Sequence, residues 1–227
     1  MNYKIIMMSK FKLIIAISIF GFVWISLALI GCATTATNIK TAKKLSQVEK
    51  ESSIVYGQIK WLEHGEEKNI GKKFLGMSVT PHLIKIEDKI RIIGEVSDGG
   101  QFVWSLEPGK YFIFKMQYQD PWSGNYFVVP KVAFDVPRNG KIYYIGMLKC
   151  EFEPKRNLIG MVSGGVEFSI LDEDDIYISN FQERFSITAN EIEKSLMIHD
   201  SRLPRAIETT KEFNLAVSII NALFLGL

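Results

Sequence analysis

Cysteine and histidine are both scarce in this 227-residue chain, at two and three residues, and their scarcity excludes several chemistries. His64, His82 and His199 are not spaced with one another, with cysteine or with carboxylates as a zinc site requires, so no metal is expected. A dense positive surface is also missing. The 27 Lys plus Arg stand against 25 Asp plus Glu, and Lys4, Lys10 and Lys12 lie in an acid-free N-terminal stretch. The rest is close to neutral and lacks the basic face that nucleic-acid binding needs. Catalytic signatures fail in the same way. Around Ser163 a serine-hydrolase elbow would need glycine at 161, where Met161 stands, so Gly160 to Gly165 reads as a connection between strands. The acidic run Asp172 to Asp175 lacks the alternating spacing and glycine of a calcium loop and reads as a solvated turn. No nucleophile, base and orienting group can be named together, so neither an enzyme nor a cofactor is expected.

What is present begins with a basic step and an apolar run. Ser9-Lys10-Phe11-Lys12 precedes Leu13 to Ile30, interrupted only by Ser18, Gly21, Ser26 and the indole of Trp24, and the run ends at Leu29-Ile30-Gly31-Cys32. Such a stretch enters the export machinery because its backbone is satisfied as a helix while its side chains leave water. The order Leu, Ile, Gly, Cys resembles the bacterial lipobox. That resemblance implies a signal over residues 1–31, cleavage before Cys32, and a diacylglycerol, often with a further acyl chain such as palmitate, on Cys32. Two or more chains hold a protein on a membrane without a spanning helix, at roughly 0.8 kcal/mol per buried methylene. Ala33 after the cysteine, rather than aspartate, implies the outer membrane if the cell is Gram-negative. The alternative is an uncleaved signal anchor, since the run lies near the lower limit for spanning a bilayer.

With Cys32 lipidated, Cys150 has no partner in the chain. It sits in an apolar strand-like stretch, Gly146 to Phe152, and is expected as a buried thiol. Residues 32–53 are polar and free of aromatics and read as a tether, with Ile39, Ala42, Leu45 and Val48 leaving room for a short helix.

From residue 54 to 171 alternating β-branched and aromatic residues are punctuated by turn chemistry. Strands are expected at 54–62, 72–76, 82–87, 90–95, 101–106, 110–118, 125–135, 141–152 and 166–171, with turns at Ser97 to Gly100, Glu107 to Lys110 and Pro137 to Gly140. Many short strands without intervening helices predict a mainly β fold, an antiparallel β-sandwich. Phe102 to Leu106, Pro108-Gly109 and Tyr111 to Ile113 form an alternating run, a type II turn and a resumed run. This stretch resembles the leucine, Pro-Gly, tyrosine hairpin of transthyretin-like or carboxypeptidase-regulatory-like sandwich domains. Asn139 to Gly146 resembles the strand that follows in small bacterial lipoproteins of that fold. The resemblance implies a binding or scaffolding domain.

Residues 172–227 predict a helical appendage. Thr188-Ala189-Asn190-Glu191 matches a capping box, so a helix is expected from Ala189 to His199, preceded by a link from Tyr177 to Phe185. A longer helix is expected from Arg205 to Leu227, apolar except for a stripe of Asn214, Ser218 and Asn221. It must pack on the sandwich, dock into a partner or lie in the bilayer interface. The ligand candidates are Trp122, Asp120 and Asn125 in one hairpin loop, where an aromatic face and neighbouring amide and carboxylate groups suit a glycan. The sequence thus predicts a lipid-anchored envelope protein with a non-catalytic role, contacting an envelope protein through the sandwich and C-terminal helix. A glycan-binding module at the Trp122 loop is the alternative.

Overall fold

The computed structural model describes residues 36–42, 52–71, 76–121, 124–153, 155–156, 162–187 and 191–225. Strands are numbered in chain order. One sheet contains β1 (Thr37–Ile39), β4 (Ser78–Lys85), β5 (Arg91–Gly94), β7 (Gly109–Asp120), β8 (Gly124–Val128), β9 (Val132–Val136) and β15 (Ile198–His199). The facing sheet contains β2 (Ser53–Glu63), β3 (Glu66–Lys68), β6 (Gln101–Leu106), β10 (Ile142–Phe152), β13 (Val166–Leu171) and β14 (Ile192–Lys194). A small hairpin, β11 (Lys155–Arg156) with β12 (Val162–Ser163), stands apart. A 3-10 turn at Asp98–Gly100, helix α1 (Asp174–Phe185) and helix α2 (Thr210–Leu225) complete the described elements. The fold is the expected mainly β sandwich with a C-terminal helix.

Alternation explains the layers. Val55, Ile59 and Trp61 of β2 point between the sheets and meet Tyr111, Ile113, Met116 and Tyr118 of β7, all essentially without exposure. The residues between them face outward, and each outer face is covered by a helix. Ile54, Tyr56, Val103 and Tyr144 pack under α1, where the Phe181 ring stacks on Tyr56 with centroids 3.9 Å apart. Ile84, Ile86, Phe112 and Ala133 pack under Phe213, Ala216 and Ile220 of α2. Of the three positions open to the C-terminal helix, the structure therefore shows packing on its own sheet.

The sheets are mixed and not antiparallel throughout as the sequence led us to expect, because the long central pair β2 and β10 runs parallel, β14 adds to β10 in parallel and β1 to β5 in parallel. Registers then assign two ends to the sandwich. Thr37 lies opposite Ile92, Ile84 opposite Arg91 and Lys85 opposite Tyr111, so the start of β1, the β4–β5 turn and the start of β7 share one end. Ser53 lies opposite Leu106 at that same end, where β6 gives way to β7. We call it the entry end. Asp120, Ser78, Glu63 and Phe152 mark the far end.

Several expectations are corrected. The Leu106 to Tyr111 turn does not close a hairpin: β6 pairs with β2, whereas β7 pairs with β4, β8 and β9, so the turn carries the chain from one sheet to the other. The Tyr111 hydroxyl pins this corner by donating to the Glu107 carbonyl at 2.7 Å. Lys85 braces it, reaching Asp88 at 2.6 Å and Glu107 at 2.8 Å. The strand expected over 125–135 is two strands, β8 and β9, broken at Pro130, which cannot donate to a ladder, and at Lys131, whose φ is 54°. The strand expected at 72–76 falls largely on residues 72–75, outside the described residues, and β4 begins at Ser78.

The tail differs most. The expected link at 177–185 is helix α1, because Ile178, Phe181 and Phe185 recur at three and four residues and all meet the outer face of the second sheet. The expected helix at 189–199 is instead β14 and β15. Residues 188–190 of its capping box lie outside the described residues. Tertiary pairing overrides the local signal there: Ser195 N–H donates to the Tyr144 carbonyl and Met197 N–H to the Ile145 carbonyl, both at 2.9 Å, while Ser195 Oγ donates to the Asp135 carbonyl at 2.7 Å. One segment thereby ties β10 of one sheet to β9 of the other. A capping box does operate at α2, where Glu212 N–H donates to Thr209 Oγ1 at 3.2 Å and the Glu212 carboxylate accepts from Thr209 N–H at 2.9 Å.

The polar tether is also shorter than expected. Residues 37–39 form β1, Thr41 Oγ1 donates to the Glu95 carbonyl at 2.7 Å, and Ala42 is buried, so this part belongs to the sandwich. Residues 43–51, including Leu45 and Val48, lie outside the described residues.

Candidate functional site

Four aromatic side chains meet at the far end, each delivered by the last turns of a strand pattern. Trp61 ends the inward run of β2, Tyr118 that of β7 and Phe152 that of β10, and Tyr126 reaches them from β8. The Trp61 and Tyr118 rings stack with centroids 4.6 Å apart and planes 8° apart. Tyr126 lies 6.0 Å from Tyr118, and Phe152 6.0 Å from Trp61. These four border a cleft of about 400 Å³, together with Asn125, Phe127, Val128 and Gly164. Stacked and tilted rings at such distances are mutually favourable beyond the area they bury.

The polar groups in the wall are few. The Tyr118 hydroxyl donates to Glu63 Oε1 at 2.6 Å and also approaches Met77 Sδ at 3.3 Å. Trp61 Nε1–H is buried and has no hydrogen-bond partner among the described residues, an uncompensated donor that costs stability. Burial, reinforced by the Glu63 carboxylate, raises the Tyr118 phenol well above its ordinary range, and burial beside Glu107 does the same for Tyr111. Both phenols stay protonated in the folded state while their unfolded counterparts ionise near pH ~10. Their folded pKa values are raised, so the stability they contribute is present below pH ~10 and lost as pH rises beyond it. The melting temperature is expected to fall in that range. Absorbance at 295 nm should show these two tyrosines ionising only together with unfolding; their free titration in folded protein would contradict the structure.

The residues singled out in sequence separate into three groups. Asn125 lines the cleft, opposite Gln119 in the β7–β8 ladder. Asp120 stands one rung beyond, opposite Gly124 at the mouth of the turn. Trp122 and Cys32 lie outside the described residues. Cys150 is fully buried on β10, and burial raises its thiol far above the ordinary range, which leaves it unreactive. The histidines are dispersed: His64 in the β2–β3 turn, His82 within β4 and His199 in β15. Among the described residues no group of three His, Cys, Asp or Glu side chains gathers as a metal site. Asp174 and Asp175 of the acidic run open α1, and Asp172 pairs with Lys194 at 3.2 Å. No helix of the described residues is long and apolar enough to cross a membrane.

No family model, curated protein or solved structure matches this chain.

Sequence reasoning placed the site on one loop and missed Trp61, Tyr118, Tyr126 and Phe152. A signal existed: each of β2, β7 and β10 carries a large aromatic close to its final turn. Tyr118 opposite Tyr126 belongs to a local hairpin, but Cys150 opposite Trp61 joins strands almost ninety residues apart, and register over that distance is invisible to local pattern.

Proposed function

We propose that this protein is a lipid-anchored component of the cell envelope, on the outer membrane in a Gram-negative cell, that binds another envelope protein without catalysis. The lipobox-like Leu29 to Cys32 supports the anchor. The observation that carries the binding surface is the aromatic cleft beside the edge strand β8, which pairs with β7 alone among the described strands. An extended partner segment along such an edge gains main-chain hydrogen bonds, while an apolar side chain entering the cleft supplies specificity. Phe127, 57% exposed beneath the Lys115 ammonium, stands on the same strand. The C-terminal helix contributes less to this reading than the sequence suggested, because its apolar face already covers its own sheet.

A photo-crosslinking amino acid in place of Asn125 is expected to capture one specific envelope protein in intact cells. Phe127→Lys, which adds charge to an exposed edge, should weaken capture by about tenfold or more, a change of roughly 1.4 kcal/mol. Retention on purified peptidoglycan that is lost in Asn125→Ala and Asp120→Ala variants, with no protein captured, would replace the protein partner by a glycan. The anchor has its own test: palmitate-analogue label that persists in Cys32→Ser would remove it.

A further inference from the structure

We infer that the lipid on Cys32 holds the sandwich against the bilayer by its entry end, with α2 and the β4–β5 turn facing lipid and the aromatic cleft presented away from it. The inference rests on the lipid-anchor reading above. Its first support is chain length. Four peptide links separate Cys32 from Ala36, and fully extended they span at most about 14 Å. The sandwich begins where those links end. Thr37 pairs with Ile92, Glu95 N–H donates to the Ile39 carbonyl at 3.0 Å, and Ala42 N–H donates to the Val103 carbonyl at 2.8 Å. The anchor is therefore not followed by the long tether that the polar composition of residues 32–53 suggested.

The second support is direction. Because β1 runs parallel to β5, the chain enters at the end shared by the β4–β5 turn, the β6–β7 crossing and the start of β10. The cleft lies at the opposite end. The twelve residues of β7 join the two ends, a separation of roughly 35–40 Å at about 3.3 Å per residue.

The third support is the surface of the entry end. Large exposed apolar side chains among the described residues are Ile90, Leu215, Leu225 and Phe127, and the first three belong to the β4–β5 turn and α2. Contacts place α2 there: Lys89 Nζ lies 4.7 Å from the Phe213 ring centroid, and Lys110 Nζ donates to Asn221 Oδ1 at 2.9 Å. The acids beside the turn are paired although exposed, Asp88 and Glu107 with Lys85 and Glu87 with the Lys110 N–H, and Glu212 of α2 is held by the Glu208 and Thr209 N–H groups. Exposed Ile and Leu side chains enter the acyl boundary, while a flanking lysine keeps its ammonium among headgroups.

The test uses the full lipidated chain, produced in bacteria with a palmitate analogue and reconstituted in vesicles of phosphatidylethanolamine and phosphatidylglycerol carrying doxyl-labelled lipid. A single fluorophore is placed through Ile90→Cys or, at the far end, through Glu66→Cys; buried Cys150 does not compete. Fluorescence at position 90 is expected to fall by about half or more, as for groups within ~10 Å of the acyl boundary, with no change at position 66. A long Gly-Ser insertion before Ala36 should relieve the quenching. Palmitate label present with no quenching at position 90, or with equal quenching at both positions, overturns the orientation and leaves the anchor standing. Absence of label overturns the anchor and the orientation together. A photo-crosslinker at Leu215 that captures a protein or a second copy of the chain, rather than lipid, also overturns it.

Discussion

A chain ending at Thr209, without α2, is expected to be insoluble or unfolded at ordinary temperature. The deletion removes Phe213, Ala216 and Ile220, all buried, and the partly buried Val217, Ile219 and Phe224. It also uncovers Ile84, Ile86, Phe112, Leu203 and Ile207. Burial of one large aliphatic or aromatic side chain contributes about 1.5–3 kcal/mol, so the helix and the face beneath it account for on the order of 5–10 kcal/mol. That is comparable with the whole stability of a typical domain. Solubility and a thermal melt of the truncated protein give the answer. A soluble, cooperatively melting product would mean that α2 is an accessory element with its apolar face available to others. The less drastic Ile220→Asp places an unpaired charge where exposure is nil and should destabilise through the same contact.

Gly100→Ala is expected to be the most damaging single-methyl change in the described sandwich. Gly100 follows the Ser97 to Gly99 turn with φ of 77°, and a Cβ built there would lie 1.9 Å from the Ile59 carbonyl oxygen. The left-handed conformation alone costs an L-residue about 1–2 kcal/mol. The collision adds a backbone shift of β2, comparable with overpacking at about 1–3 kcal/mol. The sum, roughly 2–5 kcal/mol, should appear in denaturant melts as a lower midpoint with an unchanged slope. Gly99→Ala is the internal control. Its φ is 79° but nothing lies within 4 Å of the added methyl, so it should lose only the conformational part. Equal losses at both positions would show that the close approach to Ile59 is not real.

These two sites differ in how far the sequence announces them. The apolar run from Phe213 to Leu225, with polar Asn214, Ser218 and Asn221 on one stripe, announces a helix with something to bury. It does not say against what: its own sheet, a partner and the bilayer interface each satisfied the pattern. Ser97-Asp98-Gly99-Gly100 announces a turn. It does not announce that the second glycine, and not the first, lies against the backbone of a strand forty residues earlier.

The same division runs through the chain. Period-two alternation gave strands at 54–62, 101–106, 141–152 and 166–171 close to β2, β6, β10 and β13, because alternation records which side chains leave water, a local property. The aromatic cleft depended on parallel pairing of β2 with β10, and the entry of β14 and β15 depended on open sheet edges that a capping box cannot sense. By itself the sequence determined the mainly β class, the positions of the major turns and the presence of an amphipathic C-terminal helix, since these follow from side-chain period and backbone φ preference. Tertiary structure alone decided that the Pro108-Gly109 turn crosses between sheets, that α1 and α2 cover opposite outer faces, and that Trp61, Tyr118, Tyr126 and Phe152 share one end. Each of those outcomes is a competition among distant segments for the same edge or face, and it is settled by pairing and burial that no local window contains.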